Sequence, residues 1–283
     1  MYTNLVFSGG GLKGTYYIGV LKYMYERGTL DRVRNVIGSS VGSVFGMVSC
    51  IKTCNYKTLM TQLDKVTAQV RDTDVPAAIN NVLDIYNTWG LTDADGFMEV
   101  VGDYLEETLG ARDITFLEFA KHTGKNFIVV GSNLTKRRVE YFSMDTTPRM
   151  SVATAIRISI SVPLVFKPVK HEDSIYVDAS IYNHAPFDYF DSTNKCEKTL
   201  AIEVLDDLEK EDRLPCNLSE YLNHLVDAIH EQLNKKTVPD TVRRVVIRHK
   251  GSPASPCLTD NFVMQDVGAC VDIGYDAMLE EAI

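Results

Sequence analysis

Twice within its first 55 residues the chain runs from a short apolar stretch through a glycine and serine cluster into a helical pattern, and this doublet limits the fold more than any other feature. Leu5 to Ser8 leads into Gly9-Gly10-Gly11 and then a helical stretch from about Thr15 to Arg27, closed by Gly28. Val33 to Ile37 leads into Gly38-Ser39-Ser40-Val41-Gly42 and a small-residue helix through about Ile51. Two such units in succession predict a parallel sheet covered by helices, an α/β fold. No linker divides the 283 residues, so 1–283 reads as one domain.

Further elements fit the same plan. From Tyr56 to about Leu109 the sequence reads mostly helical, with turn signals at Asp74-Val75-Pro76 and Asp93-Ala94-Asp95-Gly96. Residues 56–110 are read either as packing helices or as a helical cap over an active site. Thr115-Phe116-Leu117-Glu118 carries the capping-box pattern of a helix start. Strands are predicted at Phe127–Val130, Val139–Phe142, Ile175–Asp178, Thr199–Leu205 and Val242–Ile247, the last two rich in residues of a buried sheet. A helix is predicted over Pro148–Ser161, ended by Val162-Pro163. Another starts at Ser219 and places Leu222, Leu225, Val226, Ile229 and Leu233 on one apolar face, and a last one spans about Val267–Leu279.

Three places carry chemistry. Gly38-Ser39-Ser40-Val41-Gly42 satisfies Gly-x-Ser-x-Gly between a strand and a helix, where a nucleophile elbow presents a serine hydroxyl outward and the flanking glycines let backbones pass closely. A glycine-rich turn with a helix-capping serine is the plainer reading of the same residues. Gly9-Gly10-Gly11-Leu12-Lys13-Gly14 admits three readings. It matches the Gly-x-Gly-x-x-Gly dinucleotide fingerprint, although the second strand ends in a glycine and serine turn where that fingerprint expects an acidic residue. It lacks the Gly-Lys-Ser/Thr of a Walker A loop. As consecutive N–H groups at a helix start, it suits an oxyanion hole, in which each donor contributes about 3 kcal/mol. Tyr176-Val177-Asp178-Ala179-Ser180 puts an aspartate at a strand end, where a parallel sheet could bring it beside Ser40 as a base or where it simply starts a turn.

Composition removes several function classes. Lys and Arg number 29 against 38 Asp and Glu, and a net charge of −9 repels nucleic-acid phosphate. The same charge disfavours purely electrostatic adsorption to anionic lipid, so membrane contact is expected to be local and hydrophobic. Six scattered cysteines, without a Cys-x-x-Cys pair, indicate neither a metal site nor a disulfide framework. Met1-Tyr2-Thr3-Asn4 lacks the basic region of a secretory leader, and no stretch has transmembrane length. A cytoplasmic protein, at most peripheral to membranes, is the expectation.

In this order the three motifs resemble the patatin-like phospholipase family, whose signature pairs a Gly-Gly-Gly-x-Lys/Arg-Gly loop with Gly-x-Ser-x-Gly and a later Asp-Gly-Gly/Ala. Asp113-Ile114-Thr115-Phe116, Gly131-Ser132-Asn133-Leu134-Thr135, Thr147-Pro148, Ala155-Ile156-Arg157-Ile158-Ser159, Val162-Pro163, Asn183 and Pro186 are similar to the family's wording and spacing, so the resemblance spans the chain. It implies a three-layer α/β/α patatin-like domain with a mostly parallel central sheet. It implies Ser40 as nucleophile and Asp178 as its base, with no histidine, no cofactor and no metal. Gly10 and Gly11, with Val41, would supply the oxyanion hole, while Gly9, Lys13, Gly14, Gly38 and Gly42 support the motifs. The implied substrate is a lipid ester met at a membrane or micelle surface. Here the chain departs from the family in Ala179 and Ser180, and an alanine forced into a left-handed backbone would cost about 1 kcal/mol and displace Asp178. Two alternatives stay open: a Ser-Asp-His triad completed by His184, His224, His230 or His249, and a non-catalytic nucleotide- or phosphate-binding module built on Gly9–Gly14.

Overall fold

The computed structural model describes residues 2–52, 86–191, 199–206, 214, 228, 242–249 and 267–281. Elements are numbered along these residues. Strands β1 (Asn4–Phe7), β2 (Asn35–Gly38), β4 (Asn126–Asn133), β9 (Thr199–Asp206) and β10 (Val242–His249) form the parallel part of an eight-stranded sheet, in the order β10-β9-β1-β2-β4. Beyond β4 the sheet continues antiparallel through β8 (Ser174–Val177) to β7 (Val169–His171), and β5 (Arg138–Phe142) also pairs with β4. A separate pair joins β3 (Gly90–Thr92) to β6 (Leu164–Phe166).

The first strand shows why the sheet lies in the middle. All four residues of β1 are fully buried, and Leu5, Val6 and Phe7 alternate between two cores. Leu5 and Phe7 face one core with Val36 and Phe127, whereas Val6 faces the other with Ile37, Ile128 and Ala201. Apolar side chains on both faces need a helical layer on each side, giving the three-layer α/β/α arrangement. The first core takes α1 (Tyr16–Glu26), α2 (Val41–Cys50), α3 (Asp95–Leu109), α4 (Phe116–Thr123), α5 (Val152–Ser159) and the C-terminal α8 (Val267–Glu280). The second is covered in part by Ala185, Phe187 and Phe190 around α6 (Ser180–Asn183) and α7 (Asp188–Asp191). Helices α1 and α8 cross with backbones in contact: a Cβ added at Gly19 would strike the Val271 carbonyl, and one at Gly274 the Tyr16 carbonyl.

Several sequence expectations shift. The helix expected over Pro148–Ser161 begins only at Val152, capped by Ser151. The preceding backbone is engaged elsewhere, since Phe116 N–H donates to Met150 O and Leu117 N–H to Pro148 O, and Thr115 and Ser151 form an antiparallel bridge. The Thr115–Glu118 capping box is present, each residue's side chain bonded to the other's backbone N–H. Strand β4 extends past Val130 to Asn133 because β5 and β8 pair with its last residues. Strands β3, β6 and β7, three residues each, were too short to leave an alternating pattern. Of the candidate cap 56–110, residues 56–85 lie outside the described residues, and the remainder holds β3 and α3. The Ser219 helix also lies outside them, apart from residue 228.

Candidate active site

Strand β1 has β2 on one side and β9 on the other, so the chain reverses its direction of sheet growth there, and a crevice at the carboxyl ends of such strands is the usual place for a site in an open α/β sheet. The glycine loop leaves the end of β1, and Ser39 and Ser40 leave the end of β2. Asp178 follows β8. Strand β8 is separated from β2 by β4 in the sheet order.

The serine turn is a strained elbow. Ser40 has φ 50° and ψ −131°, a conformation that non-glycine residues rarely adopt and that costs about 1–3 kcal/mol. Tight approach holds it there: a Cβ at Gly38 would lie 2.5 Å from Ser43 Cα, and one at Gly42 would lie 2.5 Å from Phe7 O. Both glycines of Gly-x-Ser-x-Gly are therefore required by backbone crowding. The result aims the hydroxyl, and Ser40 Oγ donates to Asp178 Oδ2 at 2.6 Å, across 138 residues of sequence. No imidazole stands between them.

Asp178 is fixed from several sides. Its N–H donates to Ser161 O at 2.8 Å, and its Oδ1 accepts from Ser180 N–H at 2.8 Å. Only 3% of the residue is exposed, and that burial pushes the carboxyl from 3.8 up to about 6, against the opposing hydrogen bonds from Ser40 and Ser180. A carboxylate so desolvated is a much stronger proton acceptor than one in water. The concern raised by Ala179 disappears, because its φ of −56° and ψ of −34° are ordinary right-handed values that alanine adopts without strain. Ser180, the other departure, supplies the N–H that holds Oδ1.

The glycine loop packs on the segments that follow both Asp178 and Ser40. Gly9 N–H donates to His184 O at 2.9 Å, and a Cβ at Gly9 would meet Ser180 Oγ at 2.5 Å and His184 Nδ1 at 2.8 Å. A Cβ at Gly14 would meet Val41 Cγ2 at 2.7 Å and Phe45 Cε2 at 2.9 Å, so the loop lies directly on the first turn of α2. Between them Gly11 to Thr15 form a single 3-10 helix, with Gly11 at φ 55° and Lys13 N–H donating to Gly10 O. The helix expected from Thr15 thus starts one residue later, at Tyr16, behind this turn. Among the described residues, no protein acceptor is bonded to the N–H of Gly10, Gly11 or Val41. Gly42 and Ser43 donate instead to Ser39 O and Ser40 O. Val41 N–H is the first of α2, where the helix dipole also favours negative charge.

Several contributing residues were not anticipated from sequence. Ser159 Oγ accepts from Ser40 N–H at 2.9 Å, and Ser39 Oγ donates to Asn183 O at 2.8 Å. Arg157 donates to Asp93 O, Lys167 O and Ser161 Oγ, tying the ends of β3 and β6 to the residue whose carbonyl holds Asp178. Arg157, Ser159 and Asn183 lie in stretches whose wording resembles the family, which signals importance without stating a role. Among the triad candidates, His249 Nδ1 is bonded to Tyr16 OH at 2.7 Å, and His224 and His230 lie outside the described residues. Among the described residues no cluster of three or more His, Cys, Asp or Glu could hold a metal ion, and no helix is long and apolar enough to cross a membrane.

The sequence model of the patatin-like phospholipase family matches residues 5–191. A protein of Invertebrate iridescent virus 6 named "Probable lipid hydrolase 463L" is 27% identical over 207 residues, covering 72% of this chain and 69% of its own length. An uncharacterized protein of Acanthamoeba polyphaga mimivirus is 28% identical over 225 residues, covering 76% of this chain and 71% of its own length. Among solved structures, VipD from Legionella pneumophila superposes on 99% of this chain with a TM-score of 0.53 at 17% identity, a likeness of fold. The chain spans 66% of that structure's length.

Proposed function

The chain belongs to the patatin-like phospholipase family, and from that premise we propose that it is a lipid acyl hydrolase that cleaves fatty-acyl esters with Ser40 as nucleophile and Asp178 as its base. The observation that carries this reading is the direct 2.6 Å hydrogen bond from Ser40 Oγ to Asp178 Oδ2 in a buried site. The similarity to a viral protein named as a lipid hydrolase supports the substrate class.

In this reading Asp178 takes the Ser40 proton as Oγ attacks the ester carbonyl carbon. The carbonyl oxygen gains the negative charge and is met by the N–H groups of Gly10, Gly11 and Val41, to which no acceptor among the described residues is bonded. Collapse breaks the bond to the alcohol, which leaves with the proton from Asp178, and the acyl group stays on Ser40. Water then gives its proton to Asp178 and attacks the acyl-enzyme. The fatty acid departs and Ser40 recovers its proton. The same carboxylate thus serves as base and acid in both halves. Substrate is drawn from a lipid surface.

The test is labelling with an active-site-directed fluorophosphonate, read by intact mass and peptide mapping, alongside release of fatty acid from lipid vesicles. A single adduct on Ser40, lost in Ser40→Ala together with hydrolysis, is the expected result. A folded wild-type protein that takes no adduct and releases no fatty acid, with detergent or vesicles present, overturns the reading.

A further inference from the structure

Sheet order leaves a problem that hydrogen bonding along the strands does not solve. Ser40 follows β2 and Asp178 follows β8, and each strand pairs with β4 but not with the other, so no direct pairing joins the segment of Ser40 to that of Asp178. The elbow also strands a donor. Ser39 N–H still bonds to Phe7 O in the ladder, but Ser40 N–H has already left the sheet and precedes the hydrogen bonds of α2. A buried N–H must find an acceptor elsewhere.

One turn of chain answers both needs. At the end of α5, Ser159 Oγ accepts from Ser40 N–H at 2.9 Å. The carbonyl of the same residue accepts from Ala179 N–H at 3.0 Å, and two residues on Ser161 O accepts from Asp178 N–H at 2.8 Å. Ser159 is fully buried, and its carbonyl is among the helix-end acceptors that lack a partner within α5. We infer that Ser159 is a positioning residue that joins the two halves of the Ser40–Asp178 pair, its hydroxyl oxygen holding the strained serine elbow while its carbonyl oxygen holds the backbone next to the aspartate. This rests on the hydrolase reading for its kinetic consequence but not for its geometry. Alanine would keep the carbonyl bond and lose only the hydroxyl acceptor, so the two attachments are separable.

The experiment compares Ser159→Ala, Ser159→Thr and Ser159→Cys with wild type, and uses Ser49→Ala as a control. Ser49 hydroxyl bonds to Gly46 O near the far end of α2, so its loss removes a buried hydroxyl without touching the elbow. Two readouts are taken: steady-state hydrolysis of a water-soluble short-chain ester with the rate of fluorophosphonate labelling, and amide deuterium exchange in peptides spanning Gly38–Phe45. Ser159→Ala is expected to lower kcat and the labelling rate about 10- to 100-fold, with KM within about twofold of wild type and faster exchange at the elbow. Ser159→Thr, which keeps an oxygen acceptor, restores most of kcat, and Ser159→Cys, of similar size but a weaker acceptor, falls between. Should Ser159→Ala not fold, the Cys and Thr variants carry the comparison. Unchanged kcat and unchanged exchange in Ser159→Ala, or a Thr variant that folds and is as impaired as Ala, overturn the inference. A wild-type protein without labelling or turnover would sink the hydrolase reading alone, and the exchange comparison would then decide the role of Ser159 by itself.

Discussion

Replacing Asp178 by Asn should stop turnover and yet stabilise the fold at neutral pH. The carboxyl is 3% exposed and its pKa is raised from 3.8 to about 6, first by burial. The folded state therefore binds the proton more tightly than the unfolded chain does. That contribution to stability is complete below about pH 4 and is lost as pH rises through about 6. A shift of about two units at 1.36 kcal/mol each puts the loss at about 3 kcal/mol by pH 7.5. Asparagine is neutral at every pH and escapes it. Its Oδ1 can still accept from Ser180 N–H, and its amide can donate to Ser40 Oγ, so the hydrogen bonds survive with one of them reversed. Allowing for imperfect replacement leaves a net gain of about 1–3 kcal/mol, or about 2–10 °C in melting temperature. Thermal and urea unfolding of both proteins from pH 4 to pH 8 measures this directly. The gain should be largest at pH 7.5 and vanish toward pH 4. An Asn variant no more stable than wild type at pH 7.5, or a gain just as large at pH 4, would refute the claim that burial of the ionised carboxylate sets its basicity.

The same ionisation should govern rate: kcat/KM for a soluble ester rises about tenfold between pH 5 and pH 7 and levels off above, and a profile still climbing tenfold per unit beyond pH 8 would remove Asp178 as the base. The glycines should divide by the space around them. Gly10→Ala should keep its melting temperature within about 2 °C, because the nearest prospective Cβ neighbours of Gly10 are 3.9 Å away. Gly42→Ala should lose about 3 kcal/mol or more, because the new methyl would press on the Phe7 and Ser8 carbonyl oxygens. Equal melting temperatures for the two variants would break the close-approach argument for the elbow.

How much of this was legible in sequence depends on the range of the interactions involved. The two strand-turn-helix units, the Thr115–Glu118 cap and the helix ending near Glu280 announce themselves in patterns a few residues long, and those patterns predict them correctly. The Pro148 helix start was misplaced because Met150 and Pro148 bond to Phe116 and Leu117, more than thirty positions away, and nothing in the local pattern reports that competition. Short strands such as β6 and β7 exist because a neighbour pairs with them, not because their own sequence alternates.

At the candidate site the motif residues that meet were readable and their surroundings were not. Gly-x-Ser-x-Gly signals a close backbone approach, and the structure shows that approach at Gly38 and Gly42. What raises the aspartate's proton affinity is desolvation, and the hydrogen bonds that temper it come from Ser40, 138 residues away, and from Ser180. Ser159 is likewise 119 residues from the N–H it accepts. Ala179 makes the same point in reverse: it looked costly only if its backbone were left-handed, and the bond from its N–H to Ser159 O accompanies an ordinary helical conformation. A serine or an alanine in a sequence has no fixed meaning at such positions. Its role is set by which backbone group the fold brings to it, so the chemistry of a site can be named from a motif while its proton affinity and its alignment follow only from the assembled chain.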